Sequence, residues 1–523
     1  MSLKIAAIAD LHYAAGSLDT CGKRRTAIAD ILLTRAVRRL NRFIKPDLTI
    51  FLGDILDNGE CENAPQAHEH LLKILPKLES PYVIIPGNHD GDVERFCGFH
   101  QAESRDLSPN PSPSKGGGQL LSGSGQLDIS GVRIVTFIDR EEPGYNATRS
   151  AQDIARMDAA RAGWDGPIVS VQHVPLFKPG TSYSPYGYTN ASEVWDAFER
   201  NHFTLSLSGH WHSGDDLVAR GAGKAMIVPG LCESPFAFME ITIDGDRVET
   251  KRHELRLPDG PELIDYHVHT PFAYCSENMD VRLAQALVKE FNFSGLAFTE
   301  HSGQLHFERK LFWTGNFTRE GLAGEEGRQE RMADYLEIVR PACPPALLGL
   351  ELDAEDCGKP IVEPAVWDEL QVKVGSIHWL DAVKGKADEE VDLNEAAVEM
   401  LARLERFAGS GIQVLAHPLR IFRKWPEQDL PKHLLPGIMA LLAKHGVAAE
   451  VNFHNQFTSP EFIQLCLDYG VKFVFGSDSH NLCEVGEFQP HLDLMRECGI
   501  GYSDMPKLMA DLRPRQASVT VPV

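Results

Sequence analysis

Short apolar runs that stop abruptly at a polar residue recur along the chain. In the first half they fall at 4–10 (KIAAIAD), 48–54 (LTIFLGD), 82–90 (YVIIPGNHD), 132–139 (VRIVTFID), 167–173 (PIVSVQH) and 205–212 (LSLSGHWH), followed by AMIVPG and FMEITID. Stretches of helical character, such as 34–44, lie between several of them. Continuous apolar runs alternating with helices predict the buried strands of an α/β fold, because a strand covered on both faces has no solvent side to mark. The segment 107–126 (LSPNPSPSKGGGQLLSGSGQ) is rich in Pro, Gly and Ser. It predicts a mobile loop inside the first domain, since strand patterns resume on both sides.

Around 255–262 the composition (LRLPDGPE) becomes that of a linker, and a second series begins. Seven apolar strands are predicted at 263–269, 295–301, 346–353, 372–378, 412–418, 448–453 and 471–480, each ending in polar residues and most separated by helical lengths. That layout predicts a β/α barrel with its site at the C-terminal strand ends. The expected boundaries are a first domain at 1–255, a linker at 256–262 and a second domain at 263–523. No internal repeat is visible.

The length of 523 residues fits two large domains better than one, as a domain averages about 150 residues. No run of about 18 apolar residues occurs, so no membrane span is expected. The opening MSLKIAAIADLHY reads as a first strand rather than a signal peptide. Ten cysteines without a C-x-x-C pair point to a reduced, cytoplasmic protein. A formal net charge of −23 argues against non-specific nucleic-acid binding, which needs a basic surface.

The polar strand endings carry the chemistry. In the first half they are Asp10, His12, Asp54, Asn88, His89, His173, His210 and His212. Oxygen and imidazole donors without thiolate suit Zn, Mn or Fe. One carboxylate can bridge two such cations about 3.5–4 Å apart, a geometry that clamps a transferring phosphoryl group. The ordered motifs D-x-H (10–12), G-D (53–54), G-N-H-D (87–90), H (173) and G-H-x-H (209–212) resemble the calcineurin-like metallophosphoesterase family over roughly residues 3–250. The resemblance implies an α/β sandwich. It implies one metal on Asp10, His12, Asp54 and His212, and a second on Asp54, Asn88, His173 and His210. His89 would then be a catalytic residue that contacts the phosphate or protonates the leaving oxygen, with Asp54 bridging. Asp90 is expected to support the ligands from behind. His68 and His70 on a predicted helix, and His100, His202 and His253, are expected at the surface.

The second half ends its strands in His267, His269, His301, Glu351, His378, His417, Asp478 and His480, with Glu450 and Asn452 able to support ligands. The motifs H-x-H (267–269), E-H (300–301), G-x-E (349–351), H (378), A-H-P (416–418) and S-D-S-H (477–480) resemble the PHP (polymerase and histidinol phosphatase) family over about 263–485. The family fold is a distorted seven-stranded β/α barrel. The resemblance implies one metal on His267, His269, Glu351 and Asp478, a second on Glu351, His378 and His417, and a third at His301 and His480. Two departures stand out. Cys275 occupies a position where members often have histidine, and it is either a ligand or a structural thiol. Glu300 stands where aspartate is common. Arg420 either holds a substrate phosphate or is a surface arginine. His306, His433, His445 and His454 are expected outside the site.

Together these readings describe a fused pair of metal-dependent phosphoesterases. The first domain would hydrolyse small phosphodiesters and the second phosphomonoesters, acting in sequence on a small-molecule phosphoester. Two divalent ions are expected in the first domain and two or three in the second. A nuclease pair, or one active domain beside a degenerate binding module, are the alternatives.

Overall fold

In the computed structural model, which describes residues 2–14, 22–99, 118–219, 223–425, 429–454 and 458–514, the apolar runs of the first half become the strands of two stacked sheets. In chain order these strands are β1 (Leu3–Ile8), β2 (Leu48–Phe51), β3 (Tyr82–Ile84), β4 (Gln119–Ser122), β5 (Gly125–Ile129), β6 (Val132–Thr136), β7 (Arg140–Glu142), β8 (Asn146–Thr148), β9 (Ile168–Val171), β10 (Leu205–Ser208), β11 (Asp215–Ala219), β12 (Lys224–Ile227), β13 (Ala237–Asp244) and β14 (Arg247–Glu254). One sheet has the order β14-β13-β1-β2-β3-β4, the other β11-β12-β10-β9-β6-β5, and β7 and β8 form a separate hairpin. Ile5, Ile50 and Val83 of the first sheet share one buried cluster with Ile134, Val169 and Leu207 of the second. Apolar side chains on both inner faces therefore drive the sheets together, while helices such as Ala191–Arg200 bury Val194, Trp195 and Phe198 against the outer face of the second sheet. This is the α/β sandwich expected.

The parallel alignment of β1, β2 and β3 and of β9 and β10 brings their C-terminal ends to common edges. The polar residues that follow those ends are thereby gathered without any long-range search by the side chains.

The Pro/Gly/Ser stretch is only partly a loop. Residues 107–117 lie outside the described residues. Residues 119–122 are strand β4, paired in parallel with β3, and 125–126 open β5, paired antiparallel with β6. Leu120 and Leu121 pack on the core, and that burial overrides the turn-like composition around them.

The chain divides into two compact units, Met1–Arg256 and Leu257–Val523. In the second unit seven parallel strands run in simple sequential order: β15 (Ile264–Val268), β16 (Gly295–His301), β17 (Leu347–Asp353), β18 (Val372–Ser376), β19 (Val414–Leu415), β20 (Ala448–Asn452) and β21 (Phe473–Gly476). A parallel bridge from Val268 to Ser479 brings the last strand back beside the first, so the sheet is a nearly closed, distorted β/α barrel. Its interior holds Tyr266, Ala297, Val374, Val414 and Val474. Among the described residues no helix is long and apolar enough to cross a membrane.

Candidate metal centres

Backbone strain marks both centres. Of the twelve described non-glycine residues with positive φ, six are predicted site residues: Asp10, His12, Asp54, His210, His417 and Asp478. Such conformations cost of order 1–3 kcal/mol each and persist where the surroundings impose them. Two glycines permit the first centre to close. A side chain at Gly53 would meet the Gly87 backbone nitrogen at 2.5 Å, and one at Gly87 would meet Asp54 Oδ1 at 2.2 Å. The glycines of G-D and G-N-H-D are thus each other's contact.

In the first unit Asp54 lies between two pairs of facing imidazoles. His173 donates Nδ1–H to the Leu52 carbonyl at 2.7 Å, and His210 donates Nε2–H to the Tyr145 carbonyl at 3.0 Å. Their other nitrogens then carry lone pairs, yet they face each other at 3.0 Å. Asn88 Oδ1 is 3.1 Å from His173 Nε2, and Asp54 Oδ2 is 3.3 Å from it. On the other side His212 donates Nδ1–H to Glu233 at 2.7 Å, and His12 turns Nδ1 to Asp57 at 3.3 Å. The two Nε2 atoms face each other at 3.1 Å, with Asp54 Oδ2 3.6 Å and Asp10 Oδ1 3.7 Å from the nearer ring. Both sets are acceptors turned on acceptors, and Asp54 Oδ2 belongs to both. A neutral imidazole with its far nitrogen committed to donation can offer only a lone pair, so each set fits a cation, whether a metal ion or a proton.

The electrostatics agree. Burial pushes the Asp54 carboxyl up, but His173, His12 and His89 outweigh it and hold the group far below the usual carboxylate range. Burial likewise opposes charge on His173, yet Asp54 draws it up to about 10. The cluster attracts positive charge in whatever form arrives. Burial lifts Asp10, which also accepts the His210 backbone N–H at 2.9 Å. His89 is fixed twice: its backbone N–H donates to Asp54 Oδ1 at 2.8 Å, and its Nδ1–H to the Asp57 carbonyl at 2.7 Å.

In the second unit Glu351 plays the central part. Its Oε1 lies 2.9 Å from His417 Nε2 and 3.2 Å from His378 Nε2. Its Oε2 lies 2.5 Å from His301 Nδ1, 3.5 Å from His267 Nε2 and 3.6 Å from His269 Nε2. Asp478 Oδ1 adds contacts of 3.1 Å to His269 and 3.7 Å to His267. Behind these rings stand buried carboxylates. His267 donates Nδ1–H to Glu450 at 2.7 Å, His269 to Glu300 at 3.2 Å and His378 to Asp353 at 2.9 Å. The atoms on the site side are left over: His267 Nε2, His301 Nδ1, His378 Nε2, His480 Nε2 and Glu351 Oε2 are all buried without a well-aligned hydrogen bond, and Glu351 approaches three of these rings only as an ion-pair partner. Orphaned buried polar atoms cost about 1–3 kcal/mol each, so a cluster of five argues that a cation belongs there. His269, His301 and His480 form a further potential metal group, their rings stacked 4.2 Å apart on either side of His269.

All fifteen predicted metal ligands and His89 therefore lie in two clusters, eight of the sixteen in the first unit. Cys275 lines the cavity beside His301 and His378, and burial pushes its thiol up to about 12. Arg420 donates to Asp478 Oδ2 at 2.9 Å while also lining that cavity. Asp90 accepts the backbone N–H groups of Leu56 and Gly87 at 2.9 and 2.8 Å and so holds the turn that carries Asn88. Glu450 accepts both His267 Nδ1–H and the His417 backbone N–H, at 2.7 Å each.

Other histidines depart from expectation. His68 is buried, with its ring 5.4 Å from Phe96, because helix Ala64–Leu71 turns one face inward. His70 alone keeps a half-exposed position, bonded to Asp30 at 3.0 Å. His253 is not at the surface but stacks on Phe238 and bonds Glu240 at 2.8 Å. His454 lies against the site, its ring 5.0 Å from His480 and its Nδ1 2.8 Å from Glu484. His202 is exposed, and His100 lies outside the described residues. The carboxylates Asp57, Glu233 and Asp353 had not been singled out. Asp353 was readable, since it lies two residues beyond Glu351 on one strand and alternate residues share a face.

Acceptor-rich clusters at the strand ends of both units fit a metal-dependent enzyme. Comparison with known proteins agrees. Residues 3–214 match the family described as calcineurin-like phosphoesterase, so the first unit holds a calcineurin-like metallophosphoesterase domain, and the chain is a metal-dependent phosphoester hydrolase. A Deinococcus radiodurans protein named "Probable histidinol-phosphatase" is 26% identical over 243 residues, 43% of this chain and 88% of that protein. A Rhodopseudomonas palustris protein named "Probable cyclic nucleotide phosphodiesterase" is 24% identical over 238 residues, 41% of this chain and 81% of that protein. Among solved structures, a dimetal phosphatase from Danio rerio aligns with a TM-score of 0.36 at 16% identity, covering 48% of this chain and 98% of that one. A purple acid phosphatase from yellow lupin seeds aligns with a TM-score of 0.35 at 11% identity, covering 49% and 52%.

Proposed function

We propose that the chain carries two separate hydrolytic centres, the first for phosphodiesters and the second, a PHP-type centre, for phosphomonoesters. The observation that carries this reading is the shared carboxylate: Asp54 and Glu351 each present oxygens to two sets of imidazoles. A carboxylate so placed holds two cations side by side. In the first centre the holders are Asp10, His12, Asp54 and His212 on one side, and Asp54, Asn88, His173 and His210 on the other. In the second they are His267, His269, Glu351 and Asp478, then Glu351, His378 and His417, with His301 and His480 for a third ion. Bound divalent ions lower the pKa of water toward neutrality and offset the charge of a phosphoryl group.

The residues of the chain supply the rest. Leu52 O, Tyr145 O, Glu233 and Glu450 fix the imidazole tautomers, so that in each neutral ring the nitrogen aimed at the site carries the lone pair. His89 is pinned through its backbone and Nδ1, and as the imidazolium, with both nitrogens protonated, it would offer its Nε2–H to a phosphoryl oxygen or give that proton to the leaving oxygen. The names of the two relatives, one a monoesterase and one a diesterase, suit a small-molecule substrate that passes through both steps. None of the nine described cysteines is in a disulfide, which suits a cytoplasmic setting.

The test is phosphorus NMR of the manganese-loaded protein acting on an aryl phosphodiester. Passage through the monoester to inorganic phosphate is expected, with the second step lost in Glu351→Ala. Loss of both steps in that variant, while it stays folded, would overturn the two-centre reading.

A further inference from the structure

A cavity of about 320 Å³ opens directly onto the second centre, near the lower bound for small-ligand pockets of roughly 300–1,000 Å³. His301 and His378 form its inner end. Its side wall is aromatic. Phe312 lies 6.0 Å from the His301 ring, Trp313 packs on Phe312 at 5.2 Å and Trp379 meets it edge-on at 6.3 Å. Trp313 remains 49% exposed, a large apolar surface that the fold leaves uncovered beside a polar centre.

The outer wall has the opposite sign to the chain as a whole. Five of its residues are cationic and one, Asp388, is acidic, although the chain carries a formal charge of −23. The cavity at the first centre, about 360 Å³, shows no such bias, with Arg140 set against Asp139 and Glu141. Most of the cations at the second cavity already have partners: Lys384 pairs with Asp381 at 2.7 Å, Lys386 with Glu395 at 3.6 Å, Lys424 with Asp388 at 2.5 Å and Arg420 with Asp478 at 2.9 Å. Arg423 is different. It is exposed, and its guanidinium has no ion pair or hydrogen bond among the described residues. An uncommitted guanidinium is a planar fork suited to a carboxylate or phosphate.

We infer that the second centre selects phosphomonoesters whose organic part is a flat ring bearing its own negative charge. The ring lies against Trp313 and Trp379, and Arg423 meets the second anion at the mouth. The inference rests on the phosphomonoesterase reading of this centre and deepens it. Neither Trp313 nor Arg423 belongs to the imidazole cluster, so both can be changed without altering its donors.

The experiment uses the manganese-loaded full chain with three probes: ethyl phosphate, phenyl phosphate and 4-carboxyphenyl phosphate. Phosphate release is expected to rank in that order, lowest first, with kcat/KM about tenfold higher for the carboxylated ring than for phenyl phosphate. In Arg423→Ala that ratio should collapse toward the ratio of the intrinsic reactivities, and in Trp313→Ala the ratio of phenyl to ethyl phosphate should fall several-fold. Ratios unchanged in both variants would overturn the inference while leaving the phosphatase reading intact. Failure of the wild type to release phosphate from all three probes would instead overturn the phosphatase reading. In that case quenching of tryptophan fluorescence by 4-carboxyphenyl phosphate decides the cavity's role: about tenfold weaker binding in Arg423→Ala supports it, and equal binding removes it.

Discussion

The two centres solve one problem with different outer contacts. In the first, His89, His173 and His210 donate their rear N–H groups to backbone carbonyls, those of Asp57, Leu52 and Tyr145, and only His12 and His212 turn to carboxylates, those of Asp57 and Glu233. In the second, His267, His269 and His378 donate to the buried carboxylates Glu450, Glu300 and Asp353. A carbonyl fixes only the tautomer; a carboxylate also adds charge and makes the ring more basic. The rear partner alone does not set the proton affinity, because His173, backed by a carbonyl, is drawn up to about 10 by Asp54. Burial lowers His210 to about 3 and depresses His12 as well. In the second centre burial acts the same way, but Asp478 and Glu300 lift His269 to about 9, and Glu351 and Asp353 lift His378 to about 9. Within the second centre burial also takes His480 down to about 2, so the carboxylates that face each ring, and not only the one behind it, decide how firmly it holds a proton.

The sharpest test of that contrast is to remove each shared carboxylate. Asp54→Ala should lower phosphodiester hydrolysis by more than about 10²-fold and leave monoester hydrolysis in place, and Glu351→Gln should do the reverse. The limit follows because even outer contacts of a metal site cost about 10–100-fold. Metal content by plasma emission, measured on the same samples, should fall in step with each activity. A single substitution that empties both centres would erase the distinction between them.

The outer contacts come next. Glu450→Gln disturbs two supports at once, the His267 ring and the His417 backbone, and should weaken manganese binding by up to about 10²-fold. Glu233→Gln touches one ring, His212, and should weaken binding less than Glu450→Gln does. Titrations of manganese against enzyme activity read both. Equal losses would show that a carboxylate behind an imidazole counts the same in either centre.

These comparisons also show what the residues disclosed in advance. The inward donors were legible because each follows an apolar run, and a charged group at the end of a buried strand has few places to go. The outer carboxylates were not. Asp57 and Glu233 lie in segments whose sequence looks like any surface turn, and only the fold brings them against His12 and His212. The strands of both units were visible through burial, but β4 was masked by the glycines and serines around Leu120 and Leu121. His68 failed for a related reason. Residues two apart on a helix point to different faces, and nothing in the sequence around His68 and His70 tells that the face carrying His68 is covered. The cation-lined cavity was invisible, since Arg423, Phe312 and Trp379 are far apart in the chain.

Buried histidines outside the centres allow a smaller distinction. His491 is enclosed by Phe453, Phe475 and Phe488, and donates Nε2–H to the Val451 carbonyl at 3.0 Å. Burial lowers its pKa to about 3. An unfolded histidine takes up its proton near pH 6.5, so below that value the unfolded chain binds one proton that the folded unit refuses. Stability therefore falls as pH drops from about 6.5 to about 3, by about 1.4 kcal/mol per unit, or about 2 kcal/mol at pH 5. In the first unit, burial and then Arg95 lower His68 to about 4, so its contribution is exhausted about one unit sooner. Urea unfolding at a series of pH values, with chelator present throughout, separates the two. His491→Phe should flatten the slope for the second unit by one proton between pH 6.5 and 3, whereas His68→Phe should flatten that of the first only down to about pH 4. An unchanged slope in His491→Phe would mean that the ring admits a proton in the folded state and that its aromatic enclosure opens in acid.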